Sequence, residues 1–317
     1  MSLPRAIAPA LLLLLPACAV WPFARARPPA DATEEELLAS AREDLRRFEE
    51  SVRAGEPDRD LARSARRTVE ALLDRGGDLS KKETAEFLHA ATIEACGSPW
   101  KAYRRLVQFL DRYRFSSHLG EVERLLFEIG EGYAHRDDSF LGIGWFPARG
   151  KAIPVLRTLT ENFPNGDTAP DALRILGGLE YDRERWAEAR TAYEQILKNH
   201  PTSEWADLAE YRRALTHLRE AHRYDLDRRA LLRAREGIER YLRSRPEGMR
   251  REEATRVLAE VRTMLALREL EVGRFYETIA KWAGARRSYE LVIAEYPETP
   301  AAAQAQSALR GLPEGGP

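Results

Sequence analysis

The chain has 317 residues, enough for two average domains or one elongated repeat array. Lys and Arg number 50 against 51 Asp and Glu, with the signs mixed along the chain. That balance excludes the basic stripe a nucleic-acid partner requires, and there is no acidic tail. Arg, Glu, Ala and Leu dominate and β-branched residues are sparse, a bias towards helix over sheet.

Residues 6–15, AIAPALLLLL, follow a single positive charge at Arg5. An apolar stretch of about a dozen residues suits a signal-peptide core and is short for a bilayer span. Leu15, Pro16, Ala17 and Cys18 resemble the bacterial lipobox, in which the cysteine thiol takes a diacylglycerol and the new amino terminus is acylated. Ordinary secretory cleavage after Ala19 or after Ala26, and an uncleaved anchor, are the alternative readings of the same residues. On the lipobox reading residues 1–17 are a signal peptide, and 18–32, with three prolines and no helical period, are a lipidated tether. Ala19, in place of Asp, resembles an outer-membrane sorting address. The covalent lipid on Cys18 anchors the chain to the membrane on this reading, and no cofactor is expected. With Cys18 modified, Cys96 has no intrachain disulfide partner, and it reads as a small core residue at the end of an apolar helix.

Residues 33–135 read as an N-terminal helical region. Glu34 to Glu36 open its first helix, and Gly76 and Gly77 break between later ones. KAYRRLVQFLDRYRFSSHLGEVE (101–123) closes it as a degenerate copy of the repeat described below, with Ala102, Leu106, Leu110 and Tyr113 in frame and Arg114 in place of proline. Residues 136–150 form a glycine-broken aromatic loop with Phe140, Trp145 and Phe146. Those side chains either plug a groove between helical units or form an exposed patch for a partner peptide.

From 151 to 311 the chain repeats itself. Four prolines share a frame: Pro164, Pro201, Pro246 and Pro297. Ala152, Ala189, Ala234 and Ala285 lie twelve residues before them, Leu156, Tyr193, Ile238 and Tyr289 eight before, and Ala172, Ala209, Ala254 and Ala305 eight after. Before each proline, apolar residues three and four apart (Trp186, Ala189, Tyr193, Ile196) mark one face of an amphipathic helix. Proline stops that helix, polar residues such as Thr168, Thr202 and Thr299 are expected to cap the next one, and the alanines mark close helix approach. The unit resembles the tetratricopeptide repeat (TPR), and the spacing of 37 from Pro164 to Pro201 is close to that repeat's usual 34. The later spacings of 45 and 51 call for a loop at AHRYDLDRRA (221–230) and a helix of roughly 30 residues over 249–279. Leu258, Val261, Leu265, Val272, Phe275 and Ile279 are expected along one side of that helix. The predicted fold is all-α, a TPR-type helical-hairpin solenoid of about 13 helices, ending in a flexible tail at 312–317.

No catalytic constellation emerges. The six histidines show no helical pairing with one another, so no metal site is expected. HRDD (135–138) lacks the surroundings of a kinase loop, and GIG (142–144) lacks a third glycine. Carboxylates alternate with arginines as on a solvated helix face, and the chain reads as a non-enzyme.

Residues 265–309 resemble the closing repeat of the BamD (YfiO) family of outer-membrane protein assembly lipoproteins: an aromatic pair (Phe275 and Tyr276), a short turn, Trp282, then Ala-Arg and YPET. DLAEYRRALTHL (207–218) is similar to that family's third repeat, and with the lipobox the resemblance covers about 145–310. It implies a lipid-anchored, periplasm-facing scaffold of the outer membrane, whose C-terminal repeats bind a periplasmic domain of the β-barrel insertase. Unfolded outer-membrane barrel proteins would lie as extended segments in its N-terminal concavity. The arginine offered to the insertase falls at Arg286 or Arg287, beside Phe275, Tyr276 and Trp282. The alternative is a periplasmic TPR scaffold for peptidoglycan, secretion or polysaccharide export, without an insertase partner.

Overall fold

In a computed structural model the chain is described over residues 31–76, 79–135, 148–223 and 227–313. Cys18 with the whole of residues 1–30, the loop side chains Phe140, Trp145 and Phe146, and residues 314–317 lie outside the described residues. Among the described residues there are thirteen helices and no strand, an all-α helical-repeat fold. No helix among them is long and apolar enough to cross a membrane.

Two compact units divide between Arg105 and Leu106. In the first, α1 (Glu34–Arg53), α2 (Arg59–Arg75) and α3 (Leu79–Ala95) pack on one another around Leu38, Ala65, Val69, Leu88 and Ile93. The start of α1 follows from its sequence. Thr33 Oγ1 accepts from the Glu36 amide at 3.2 Å, and Glu36 accepts back from the Thr33 amide at 2.8 Å, a capping box. That backbone hydrogen bond holds the Glu36 carboxyl below its usual range. The end of α2 falls at Gly76, whose φ of +62° is open to glycine without strain. Cys96 is half-buried, and burial pushes its thiol up. The unit boundary lies inside α4 (Pro99–Arg112).

The second unit is built from hairpins. α5 (Leu119–Ala134) pairs with α6 (Ala148–Asn162), α7 (Ala169–Asp182) with α8 (Trp186–Asn199), α9 (Ala206–Arg223) with α10 (Arg228–Ser244), and α11 (Arg251–Thr278) with α12 (Trp282–Glu295). Each hairpin also packs on the next, and α13 (Pro300–Gly311) covers the last. All twelve residues at fixed offsets from the four prolines are at most 2% exposed. Alanine suits eight of these positions because the helix axes come close there, while Leu156, Tyr193, Ile238 and Tyr289 fill the spaces between. Burying each of the four large side chains contributes roughly 1.5–3 kcal/mol. In the degenerate unit Ala102 and Leu106 are fully buried too, and Val122 occupies the place of the later alanine.

Polar contacts about one repeat length apart in sequence recur within and between hairpins. Asp171 accepts from Trp205 Nε1 at 3.0 Å, and Asp207 from the Tyr241 hydroxyl at 3.1 Å. Glu210 accepts from Ser244 Oγ at 2.9 Å, and Arg262 pairs with Glu298. The surface i,i+4 pairs, such as Arg240–Glu236 at 3.2 Å, add little each.

Three local expectations are corrected. Thr168 and Thr299 stand at helix starts without side-chain capping bonds. The turns close instead by backbone bonds such as Ala169 N to Gly166 O at 3.2 Å, and Thr168 donates its amide and hydroxyl to Glu123 of α5 at 2.9 and 2.7 Å. Both ends of the loop expected at 221–230 are helical, because α9 runs on to Arg223 and α10 starts at Arg228 behind its Asp227 cap, with 224–226 outside the described residues. The third correction, along α11, shapes the candidate site.

Candidate partner-binding surface

α11 has 28 residues and α10 has 17, so at 1.5 Å per residue their lengths are about 42 and 25 Å. A short turn joins them, and α10 therefore runs back along only the first part of α11. The buried residues of α11 are Ala254, Val261, Leu265, Ala266, Leu270 and Gly273. Leu258 is partly buried against the same core. The single apolar side expected from the sequence splits beyond this point. Val272, Phe275, Tyr276 and Ile279 are exposed, Phe275 by 60% and Ile279 by 47%. Their spacing of three and four residues sets them on one bare stripe beyond the reach of α10.

The stripe continues onto α12. Gly284 faces the Tyr276 ring so closely that a Cβ there would lie 2.9 Å from Tyr276 Cγ. Arg287 and Leu291 follow Gly284 on α12 at helical spacing, and both are exposed. The turn that brings the helices together is held by Lys281 N donating to Tyr276 O at 2.9 Å, with Ala280 at φ +56°. Beneath it, Tyr289 is buried and its hydroxyl donates to Glu277 at 2.6 Å. Burial, with that hydrogen bond, pushes the Tyr289 hydroxyl up to about 12.

The five residues assigned to partner binding from the sequence have different surroundings. The rings of Phe275 and Tyr276 are 5.9 Å apart on the stripe. Trp282 is half-buried and packs against the core of α9–α13. Arg286 turns to the other side of α12, where its Nη2 donates to the Pro313 carbonyl at 3.3 Å. Arg287 alone of the two arginines stays on the stripe. Val272, Ile279 and Leu291 were not singled out as contacts, because helical periodicity does not separate a stripe facing the core from one facing outward. The 284–287–291 spacing of α12 was the available signal.

Helix pairs whose second members end at a shared proline, with alanines at the crossings, define a TPR-type helical-repeat protein. The profile of the YfiO family, described as outer membrane lipoprotein, matches residues 148–310, just over half of the chain, and the chain belongs to that family. It is similar to the C-terminal part of a TPR repeat-containing protein from Cytophaga hutchinsonii, at 13% identity over 86% of this chain and 97% of that one, with a TM-score of 0.36. A tetratricopeptide repeat protein from Parabacteroides merdae is similar at 13% identity over 86% and 98%, TM-score 0.35. The TPR2AB domain of yeast Sti1, solved as a pHSP90 complex, is similar at 13% over 86% and 95%, TM-score 0.21. No curated protein matches the chain.

Proposed function

We propose that the chain is a non-catalytic scaffold of the β-barrel assembly machinery, held at the outer membrane by a lipid on Cys18 and facing the periplasm. The stripe of α11 and α12 docks a periplasmic domain of the barrel insertase, and unfolded outer-membrane proteins bind to the repeats as extended segments. The observation that carries this reading is the bare stripe within the family-matched region. A chain that leaves Phe275 60% exposed forgoes roughly 1 kcal/mol or more of burial, which a partner would recover. Exposed Arg287, one turn after Gly284 on α12, supplies a bidentate donor for a carboxylate at the rim. Trp282 packs α12 onto the core, Arg286 is engaged with the Pro313 carbonyl, and neither is itself a contact.

The test is co-purification of the tagged full-length chain after mild detergent extraction. Recovery of the insertase supports the reading, while its absence together with recovery of other envelope proteins favours a scaffold for a different envelope process. Cys18→Ser is expected to release the protein into the soluble periplasmic fraction, and a Cys18→Ser protein that stays with membranes contradicts the anchor.

A further inference from the structure

A cleft between α6 and α8, floored by α7, is separate from the docking stripe. Its floor holds an unusual residue. Glu180 follows Ala172 and Leu176 at four-residue intervals on the buried face of α7, and its side chain is 1% exposed. A carboxylate buried at such a position is costly unless cations pair with it. Arg157 of α6 donates from Nη2 to Glu180 Oε1 at 3.0 Å, and Arg185, in the turn before α8, stands 3.5 Å from Oε2. The two arginine side chains remain 48% and 51% exposed. Each therefore spends one edge of its guanidinium on Glu180 and offers the rest to the cleft.

The space above them is about 420 Å³, larger than packing between helices requires and enough for several peptide residues. Two guanidiniums share one buried carboxylate, so the floor by itself is net positive, while Glu161 and Glu188 on the walls make the lining as a whole net negative: a positive centre between negative sides. At the sides stand exposed Glu161 of α6 and Glu188 of α8. Thr191 and Gln195, both exposed on α8, stand along the same wall, the Thr191 hydroxyl donating to the Ala187 carbonyl at 3.0 Å and so offering its oxygen as an acceptor. A carboxylate entering between Arg157 and Arg185 would complete the second guanidinium, with basic groups on either side meeting Glu161 and Glu188. A phosphate dianion would meet the two flanking carboxylates instead.

We propose that this cleft is a peptide-binding site, in which Arg157 and Arg185 grip one carboxylate of an extended segment and Thr191 and Gln195 hydrogen-bond its backbone. The carboxylate is an acidic side chain within the segment or a chain terminus, the same chemistry from two sources. The proposal rests on the reading of the chain as a scaffold for extended segments and is independent of the insertase contact.

Fluorescence anisotropy with the full-length protein in mild detergent tests it. The probes are ten-residue peptides with Lys flanking a central Glu, Gln or Lys and amidated ends, and a Gln-centred peptide with a free C-terminal carboxylate. A carboxylate-bearing peptide is expected to bind at least about tenfold tighter than the amidated Gln peptide, the Glu-centred one identifying an internal source and the free-ended one a terminus. R185Q, which leaves Arg157 on Glu180, and R157Q, which leaves Arg185, are each expected to erase that preference. Q195W, on the exposed rim, is expected to block every peptide with an unchanged melting temperature. Equal affinity for all four peptides overturns the proposal. So does a preference that survives in an R185Q or R157Q protein melting like the parent, or inorganic phosphate binding as tightly as the peptides. R185Q is expected to recover the insertase like the parent, so failure of this site and failure of the docking surface show separately.

Discussion

Gly273 of α11 lies directly against the ring of Tyr289 of α12, so close that a Cβ on the glycine would stand 2.7 Å from Tyr289 Cδ1. The same relationship occurs in the earlier hairpin, where a Cβ on Gly177 of α7 would lie 2.8 Å from Tyr193 Cε1 of α8. In both hairpins the tyrosine stands eight residues before the repeat proline, so the glycine is the partner that lets a large ring occupy the helix crossing. Gly273→Ala gains roughly 1 kcal/mol of helix propensity but must displace a ring enclosed on all sides, at a cost of about 1–3 kcal/mol. A lower melting temperature by circular dichroism is the expected result. Gly178→Ala, next to Gly177 but with nothing within 4 Å of an added Cβ, is expected to raise it.

Ala280, at φ +56°, and Glu184, at φ +59°, stand at the same place in their turns, two residues before Trp282 and Trp186. A left-handed residue with a Cβ costs about 1–2 kcal/mol. Ala280→Gly relieves that strain but gives the unfolded chain more freedom, leaving a net gain of a few tenths to about 1 kcal/mol. Denaturant titration should place the midpoint of Ala280→Gly above the parent's, and a lower midpoint contradicts the turn geometry.

His217 couples α8 and α9. Arg190 Nη1 donates to His217 Nδ1 at 2.7 Å and to Glu220 at 3.2 Å. Burial, with the Arg190 and Arg233 charges added to it, pushes the imidazole down to about 4 against the opposing pull of Glu220. The unfolded chain thus takes up this proton more readily than the folded one. Stability contributed by neutral His217 is complete above about pH 6.5, falls as the pH drops towards 4, and changes no further below that. His217→Gln, which still offers Arg190 an acceptor, is expected to flatten this part of the stability–pH curve in urea melts at fixed ionic strength.

The TPR character of the fold was legible because the signal was redundant: two alanines and one large residue at constant offsets from each proline, each set by a helix crossing. What the sequence left open has specific causes. Arg286 and Arg287 are neighbours, yet successive helix positions point about 100° apart, and only the placement of Pro313 shows that Arg286 is engaged within the chain. Val272, Phe275 and Ile279 keep the apolar period of the core, and what exposes them is the shortness of α10, a relation between two helices that no local pattern contains. Glu180 was detectable as a carboxylate on an apolar face, but Arg157 reaches it from 23 residues away, from the preceding hairpin.

The docking stripe is tested most directly by isothermal titration of the insertase's purified periplasmic domain into the full-length protein, its Phe275→Asp and Arg287→Glu variants, and Arg286→Glu as the control at the neighbouring position, which faces the Pro313 carbonyl. Phe275 and Arg287 are exposed, so both variants are expected to melt like the parent. Docking through the stripe requires each to weaken binding at least about tenfold and Arg286→Glu to bind within about threefold of the parent. Phe275→Asp and Arg287→Glu proteins that bind the domain as tightly as the parent would contradict it.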